Sequence, residues 1–155
     1  MFKEMRRKEK EASNETVEKI MTEGEYGILA TVGEDNYPYT TPINYVYSDG
    51  AIYLHGALEG HKYDNIKHNN KVSFCVVGRT NLLPGKFTSE YESVVIFGRA
   101  EFPTGQEKTK GLKALLEKYS PDFMQEGLEY IDRALDKTAV IKITIDHITG
   151  KKNYS

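Results

Sequence analysis

The chain has 155 residues, 39% of them apolar and 28% charged, with 21 Lys and Arg against 23 Asp and Glu for a formal charge of −2. That length suffices for one domain burying roughly two-thirds of its unfolded surface, and a near-neutral balance leaves no broad basic field to displace counterions from nucleic acid. No apolar run reaches the roughly 20 residues of a membrane span, and a single cysteine, Cys75, excludes an intramolecular disulfide or a cysteine-cluster metal site.

The expectation is one cytoplasmic domain over residues 1–155, its first 12 residues a basic arm. Within it, the segment Lys3 to Lys10 carries Lys3, Arg6, Arg7, Lys8 and Lys10 against only Glu4 and Glu9. The arm is read as helical, and it lacks the serine-rich, acid-poor character of a transit peptide. Ser13 or Asn14 caps a helix to about Glu25 with Val17, Ile20 and Met21 on its apolar stripe. Tyr26 to Val32 has strand character, and Gly33-Glu34-Asp35-Asn36 makes a hairpin turn. One long strand is expected from Tyr37 to Tyr47, at an edge or bulged because Pro38 and Pro42 cannot donate to a ladder. Asp49-Gly50 then suits a tight hairpin. In the strand Ala51 to His55, Ile52 and Leu54 face one way, Tyr53 and His55 the other.

A short helix follows, ending at Asn69-Asn70, and then a strand from Lys71 to Val77. Asn81 to Phe87, with Pro84-Gly85, reads as a loop. The centre of the strand Glu90 to Phe102, Val94-Val95-Ile96-Phe97, is apolar on both faces and is expected to be buried on both. Thr104 to Glu107 resembles a capping box for a helix to about Tyr119; Ser120-Pro121-Asp122 breaks it before a helix from about Phe123 to Leu135. The last strand runs from Thr138 to Ile145. Consecutive strands joined by hairpins, with helices to cover the ends, predict a mainly β fold with α-helices: a closed, Greek-key-like antiparallel barrel.

The richest local pattern is Tyr53-Leu54-His55-Gly56-Ala57, followed by Gly60-His61-Lys62. It reads as a strand ending at Gly56 and a turn through Gly60 into a helix whose first turn carries His61 and Lys62. Free backbone N–H groups, the macrodipole and a lysine make such a start a seat for phosphate. Two readings stand: a phosphorylated cofactor lying on the sheet, or a junction with a solvated basic pair. Cys75 lies mid-strand among apolar neighbours, where a thiol packs and does not react. His61 and His68 are two helical turns apart, about 10.5 Å of rise, too far to share one ion, so no metal site is expected. Glycine-rich nucleotide loops are absent. Tyr39, Tyr45 and Tyr47 share a face of the expected long strand; they either stack a planar ligand or form barrel surface.

Several segments in order resemble one family: Gly27-Ile28-Leu29-Ala30-Thr31, Pro42-Ile43-Asn44-Tyr45-Val46-Tyr47, Ile52-Tyr53-Leu54-His55-Gly56-Ala57, Gly60-His61-Lys62, and Tyr91-Glu92-Ser93-Val94-Val95-Ile96-Phe97-Gly98-Arg99-Ala100. The chain resembles the FMN-binding split barrels, the superfamily of pyridoxamine 5′-phosphate oxidase, and within it the nitroimidazole-resistance (Nim-type) flavoproteins. The resemblance implies an FMN phosphate at His61 and Lys62, with His55, Gly56 and Ala57 along the ring and ribityl chain. It further implies that the backbone of Pro42, Ile43, Asn44 and Tyr45 faces the ring. Ser93 would come from a second subunit, giving a homodimer with FMN at the interface. The activity implied is an oxidoreductase taking electrons from a nicotinamide or other small-molecule donor to a small planar acceptor such as a nitroaromatic. His55 is the candidate nearest the reacting face. A non-catalytic FMN carrier or redox sensor, and a haem-binding split barrel using His55 or His147, are the alternatives. The oxidases' Arg- and Trp-containing C-terminal segment has no counterpart, and Trp is absent.

Overall fold

A computed structural model describes residues 1–154. Seven antiparallel strands form one sheet in the order β2-β1-β5-β6-β7-β4-β3. These are β1 (Gly27–Val32), β2 (Pro38–Ile43), β3 (Val46–Ser48), β4 (Ala51–Ala57), β5 (Lys71–Leu83), β6 (Thr88–Glu101) and β7 (Thr138–Asn153). Four helices accompany them: α1 (Asn14–Glu23), α2 (His61–His68), α3 (Gly105–Tyr119) and α4 (Met124–Ala134). The mainly β, barrel-like expectation holds.

The sequence's long strand from Tyr37 to Tyr47 is two strands at opposite edges of the sheet. β2 pairs only with β1 and β3 only with β4, so the two-residue link Asn44-Tyr45 carries the chain from one edge to the other. The prolines explain part of this. Pro38 and Pro42 are tolerated because β2 has no strand on its outer side. Tyr45 explains the rest: its side chain is fully buried, edge-on to Phe74, and its hydroxyl donates to the Met21 carbonyl at 2.6 Å. Burying that ring turns the chain inward where a continuous strand would have passed by. Tyr39, Tyr45 and Tyr47 therefore do not share a face. Tyr39 stacks on His61, and the Tyr47 hydroxyl donates to Glu18 at 2.8 Å.

α1 is capped by Ser13, whose Oγ accepts from the Thr16 N–H at 3.2 Å, and it lays Val17, Ile20 and Met21 into the main core with Leu29, Phe74, Val76, Val94 and Ile96. A second, smaller core forms where Leu112 and Leu115 of α3 pack on Val46, Tyr53 and Val140. Gly111 permits this approach, since a methyl group there would lie 2.8 Å from the Tyr53 ring.

Other expectations are corrected. The arm is not helical beyond a single 3-10 turn at Lys8–Lys10. Residues 81–83, read as loop, continue β5, and β7 runs eight residues past Ile145; both gain their length by pairing with the equally long β6. Val95 and Phe97 of β6 are 38% and 41% exposed, while Val94 and Ile96 are fully buried, so the strand is covered on one face only. Thr104 stands at the N-cap of α3 but makes no side-chain cap. Glu107, expected to complete a capping box, is bound instead by the Lys142 ammonium.

Candidate functional site

α2 is fixed to the barrel by two residues of its own sequence. Ile66 enters the main core, and the buried Asn65 amide donates to the Thr31 hydroxyl of β1 at 3.0 Å. The helix start is thereby held against the end of β4. Gly60 precedes it with φ of 128°, a conformation that glycine adopts without strain, and no side chain caps the first turn. The first N–H groups of that turn have no partner within the helix and no side-chain cap.

Lys62 lies over Gly56. A methyl group on Gly56 would sit 3.4 and 3.5 Å from the Lys62 Cε and Nζ, and among the described residues the ammonium has no carboxylate partner. An unpaired ammonium, a bare stretch of strand and an uncapped helix start therefore converge at one spot. This is donor chemistry suited to a phosphate. His61 faces elsewhere. Its ring stacks on Tyr39 at 3.9 Å, in a shallow pocket shared with Glu34, Asp35, Asp64 and His68. Three carboxylates there disfavour an anion beside the imidazole, so of the sequence's basic pair the side chain of Lys62 is the better anion ligand.

His55 stands on the other face of β4. Alternation places Tyr53, His55 and Ala57 toward α3, and His55 opens into a cleft of about 570 Å³ between the sheet and the helix pair α3–α4. Asn44, Leu112, Leu115, Tyr119 and Ile131 also line this cleft. Although His55 as a residue is exposed, its ring sits in the mouth of this cleft. Crowding there holds its pKa below the usual imidazole value, and the nearby Lys62 charge lowers it further. A depressed folded-state pKa means the folded state binds fewer protons than the unfolded chain just below about pH 6.5. The His55 contribution to stability is therefore present above that pH and is lost as pH falls through the folded-state value. By NMR titration, His55 should protonate below pH 6.5, and Lys62→Met should move its midpoint part of the way back. An unmoved midpoint would remove Lys62 from its surroundings.

The link between sheet edges borders this cleft and is firmly held. The Tyr45 N–H donates to the Tyr119 hydroxyl at 3.0 Å, and the Tyr45 carbonyl accepts from Tyr119 at 2.9 Å and from Lys118 at 2.8 Å. Lys118 also donates to the Gly24 carbonyl at 2.6 Å and lies 3.8 Å from the centre of the Tyr45 ring. Burial pushes its pKa down to about 8, and the two carbonyls and the ring face favour its charged form. The backbone of Tyr45 is thus occupied within the protein. Of the four residues expected to face a ring, Pro42 and Asn44 are exposed, whereas Ile43 packs against the core. Sequence reasoning missed Lys118 and Tyr119 because nothing near them in the chain marks them; their partners lie 73 to 94 residues away.

Ser93 is remote. On β7 it pairs with Lys151, whereas Gly56 pairs with Ala139, twelve residues away along the same strand and roughly 40 Å at strand rise. One copy of the chain cannot bring Ser93 to the Lys62 spot. Ser93 lies instead on the outward face of β6 with Val95 and Phe97. Beside them is Val77 of β5, 56% exposed, and Phe2 of the arm stacks on Phe97 and on His147 at 5.3 and 4.9 Å. Cys75 is half-buried, its thiol pKa raised by burial, in keeping with an inert thiol. No group of three potential metal ligands occurs among the described residues, and no helix among them is long and apolar enough to cross a membrane.

Comparison with known proteins places this geometry. A family model described as pyridoxamine 5′-phosphate oxidase matches residues 13–152. A candidate 5-nitroimidazole antibiotic resistance protein from Bacteroides thetaiotaomicron is similar in structure, with a TM-score of 0.78, 25% identity, and coverage of 90% of this chain and 84% of that one. A conserved hypothetical protein from Mycobacterium tuberculosis aligns with a TM-score of 0.82 at 21% identity, covering 96% of this chain and 90% of the other. The FAD and haem binding protein from Mycobacterium smegmatis aligns with a TM-score of 0.82 at 20% identity over 94% of this chain and 74% of that one. No protein of curated function matches the chain significantly. The match over nearly the whole chain, with the barrel and the helix start in the expected places, means that this protein belongs to the pyridoxamine 5′-phosphate oxidase family of split barrels.

Proposed function

We propose that the protein is an FMN-dependent oxidoreductase, working as a homodimer, that passes electrons from a nicotinamide or other donor to a small planar acceptor of the nitroaromatic class. The observation that carries this reading is the unpaired Lys62 ammonium over bare Gly56 at an uncapped helix start, with His55 opening on the opposite face of the same strand into an apolar cleft.

Lys62 and the first-turn N–H groups of α2 would hold the phosphate, and the exposed edge at Pro42 and Asn44 would border the ring. When bound, the flavin supplies the two-electron chemistry. His55, neutral at pH 7 because of its lowered pKa, holds one ring N–H and one free lone pair at the cleft mouth. It is therefore able to give or take a proton beside a ligand there. The helices α3 and α4 form the apolar wall of the cleft opposite the sheet.

The second copy is argued from surface and from register. Val77, Val95 and Phe97 form an exposed apolar strip that a lone domain gains nothing by showing to water. Ser93, on that strip's face, reaches a Lys62 spot only across two copies. The test is one preparation: purified protein mixed with FMN, its visible spectrum and its mass by light scattering recorded together. The expected result is a bound-flavin spectrum on a particle of two chains. Phe97→Asp is expected to give single chains that lose flavin. A colourless protein after FMN addition would end the reading, whereas a Soret band after haem addition, lost in His55→Ala or His147→Ala, would replace it with haem binding. Reoxidation of the reduced protein by a nitroimidazole no faster than that of free reduced FMN would make it a carrier.

A further inference from the structure

The cleft beside His55 has polarity along its length. α4 reaches it through a close contact with α3 at Gly127, where a methyl group would overlap the Leu116 side chain. Two further bonds fix the far end of α4: the Lys108 ammonium donates to the Leu135 carbonyl at 2.6 Å, and the Thr138 hydroxyl donates to the Ala134 carbonyl at 3.0 Å. α4 nonetheless buries no residue fully; its Ile131 packs against the edge of the smaller core and also lines the cleft.

The cleft walls are Leu112, Leu115, Leu116, Phe123 and Ile131. Its charged lining residues are two, Glu126 and Arg133, seven residues apart on α4 and so about 10.5 Å apart in rise. Arg133 neighbours Ala134, which is bonded to Thr138. Thr138 pairs with Ala57, two residues beyond His55 on β4. Glu126 lies one turn past the break that follows Tyr119, toward Asn44 and the held link. Arg133 thus marks the His55 end of the cleft, and Glu126 marks the other. Among the described residues neither has an ion-pair partner.

We propose that this cleft is the acceptor site and that it selects planar aromatic molecules bearing a carboxylate, the ring lying between the leucines and Ile131 and the carboxylate paired with Arg133 beside His55. A volume of about 570 Å³ falls within the range of small-ligand sites, roughly 300–1,000 Å³. The fork of a guanidinium matches a carboxylate in two parallel hydrogen bonds, which an ammonium cannot do. Glu126 at the opposite end repels the same group and so sets the direction in which such a molecule enters. The assignment of this cleft to an acceptor rests on the flavin reading; the preference for an aromatic carboxylate does not.

The experiment compares 4-nitrobenzoate with the neutral isostere 4-nitrobenzamide by titration calorimetry, on protein with and without FMN, both in the oxidised state where neither is turned over. The carboxylate is expected to bind about tenfold or more tightly than the amide, the strength of a hydrogen bond to a charged group. Arg133→Gln should abolish that difference while FMN affinity stays unchanged, and Arg133→Lys should restore part of it. The His55 ring resonances should shift on addition of 4-nitrobenzoate. Equal binding of the two compounds, a preference that survives Arg133→Gln, or displacement of 4-nitrobenzoate by FMN would overturn the proposal. If FMN fails to bind while the carboxylate preference holds, the flavin reading falls and the cleft's selectivity stands.

Discussion

Replacing Lys62 by alanine is expected to weaken FMN binding by about 1.5–3 kcal/mol, roughly 10- to 150-fold in Kd, and to leave riboflavin binding unchanged. Riboflavin lacks the phosphate, so the pair of ligands separates a lost phosphate contact from general damage to the site. The magnitude is that of a hydrogen bond to a charged group. Lys62 meets the conditions for it: the residue is half-buried, its ammonium is without a carboxylate partner among the described residues, and it lies over the bare backbone of Gly56. Lys62→Arg keeps the charge and should keep most of the affinity. Gly56→Val tests the same spot from the strand side, because branched methyls there would press on the Lys62 chain. Fluorescence quenching of the flavin on titration measures all three variants. An unchanged FMN constant in Lys62→Ala would move the phosphate elsewhere, and the acid-lined surroundings of His61 make that side chain a poor substitute.

Tyr45→Ala should cost about 3–5 kcal/mol of folding stability, the range for removing a buried aromatic side chain. At the usual 2–4 °C per kcal/mol for a chain of this size, the melting temperature falls by roughly 6–20 °C. The ring is fully buried against Phe74, its hydroxyl holds the Met21 carbonyl, and the Lys118 ammonium lies on its face. Its removal leaves a cavity and strips the ammonium of the ring face 3.8 Å from it. Tyr45→Phe removes only the hydroxyl and should cost about 1 kcal/mol. Calorimetry on the two variants distinguishes packing from hydrogen bonding. A loss below 1 kcal/mol in Tyr45→Ala would show that the link between sheet edges is held by Tyr119 and Lys118 alone.

The contrast between Lys62 and Tyr45 shows what could be read from the chain. Lys62 was legible because its setting is local: a strand end, Gly60, and a helix start lie within a few residues, and short-range geometry dictates where the N–H groups point. The same holds for the Ser13 cap and the apolar stripe of α1, and for the opposed faces of Ile52 and Leu54 against Tyr53 and His55. Tyr45 was legible as one of three tyrosines on an imagined strand and, through the resemblance, as backbone beside a ring, but not as a core anchor. Its role depends on Phe74, Met21, Lys118 and Tyr119, 24 to 74 residues distant, and no periodicity encodes such partners. The outward face of β6 shows the same limit. Val95 and Phe97 were expected to be buried along with Val94 and Ile96, because an apolar face reads alike whether its own chain, a second copy or nothing covers it.

By itself, then, the amino-acid order determined the mainly β barrel class, the bounds of most elements and the strand–turn–helix junction that opens α2, because hydrophobic periodicity, turn chemistry and helix termini act over a few residues. The tertiary structure alone decided three things. It split the chain at Asn44-Tyr45 between opposite sheet edges, set Ser93 twelve residues of β7 away from Gly56, and folded α4 back over His55 to make a cleft with Arg133 at one end. Each follows from burial and pairing between residues far apart in the chain, where the choice of partner lowers the free energy and the local sequence is silent about who the partner is.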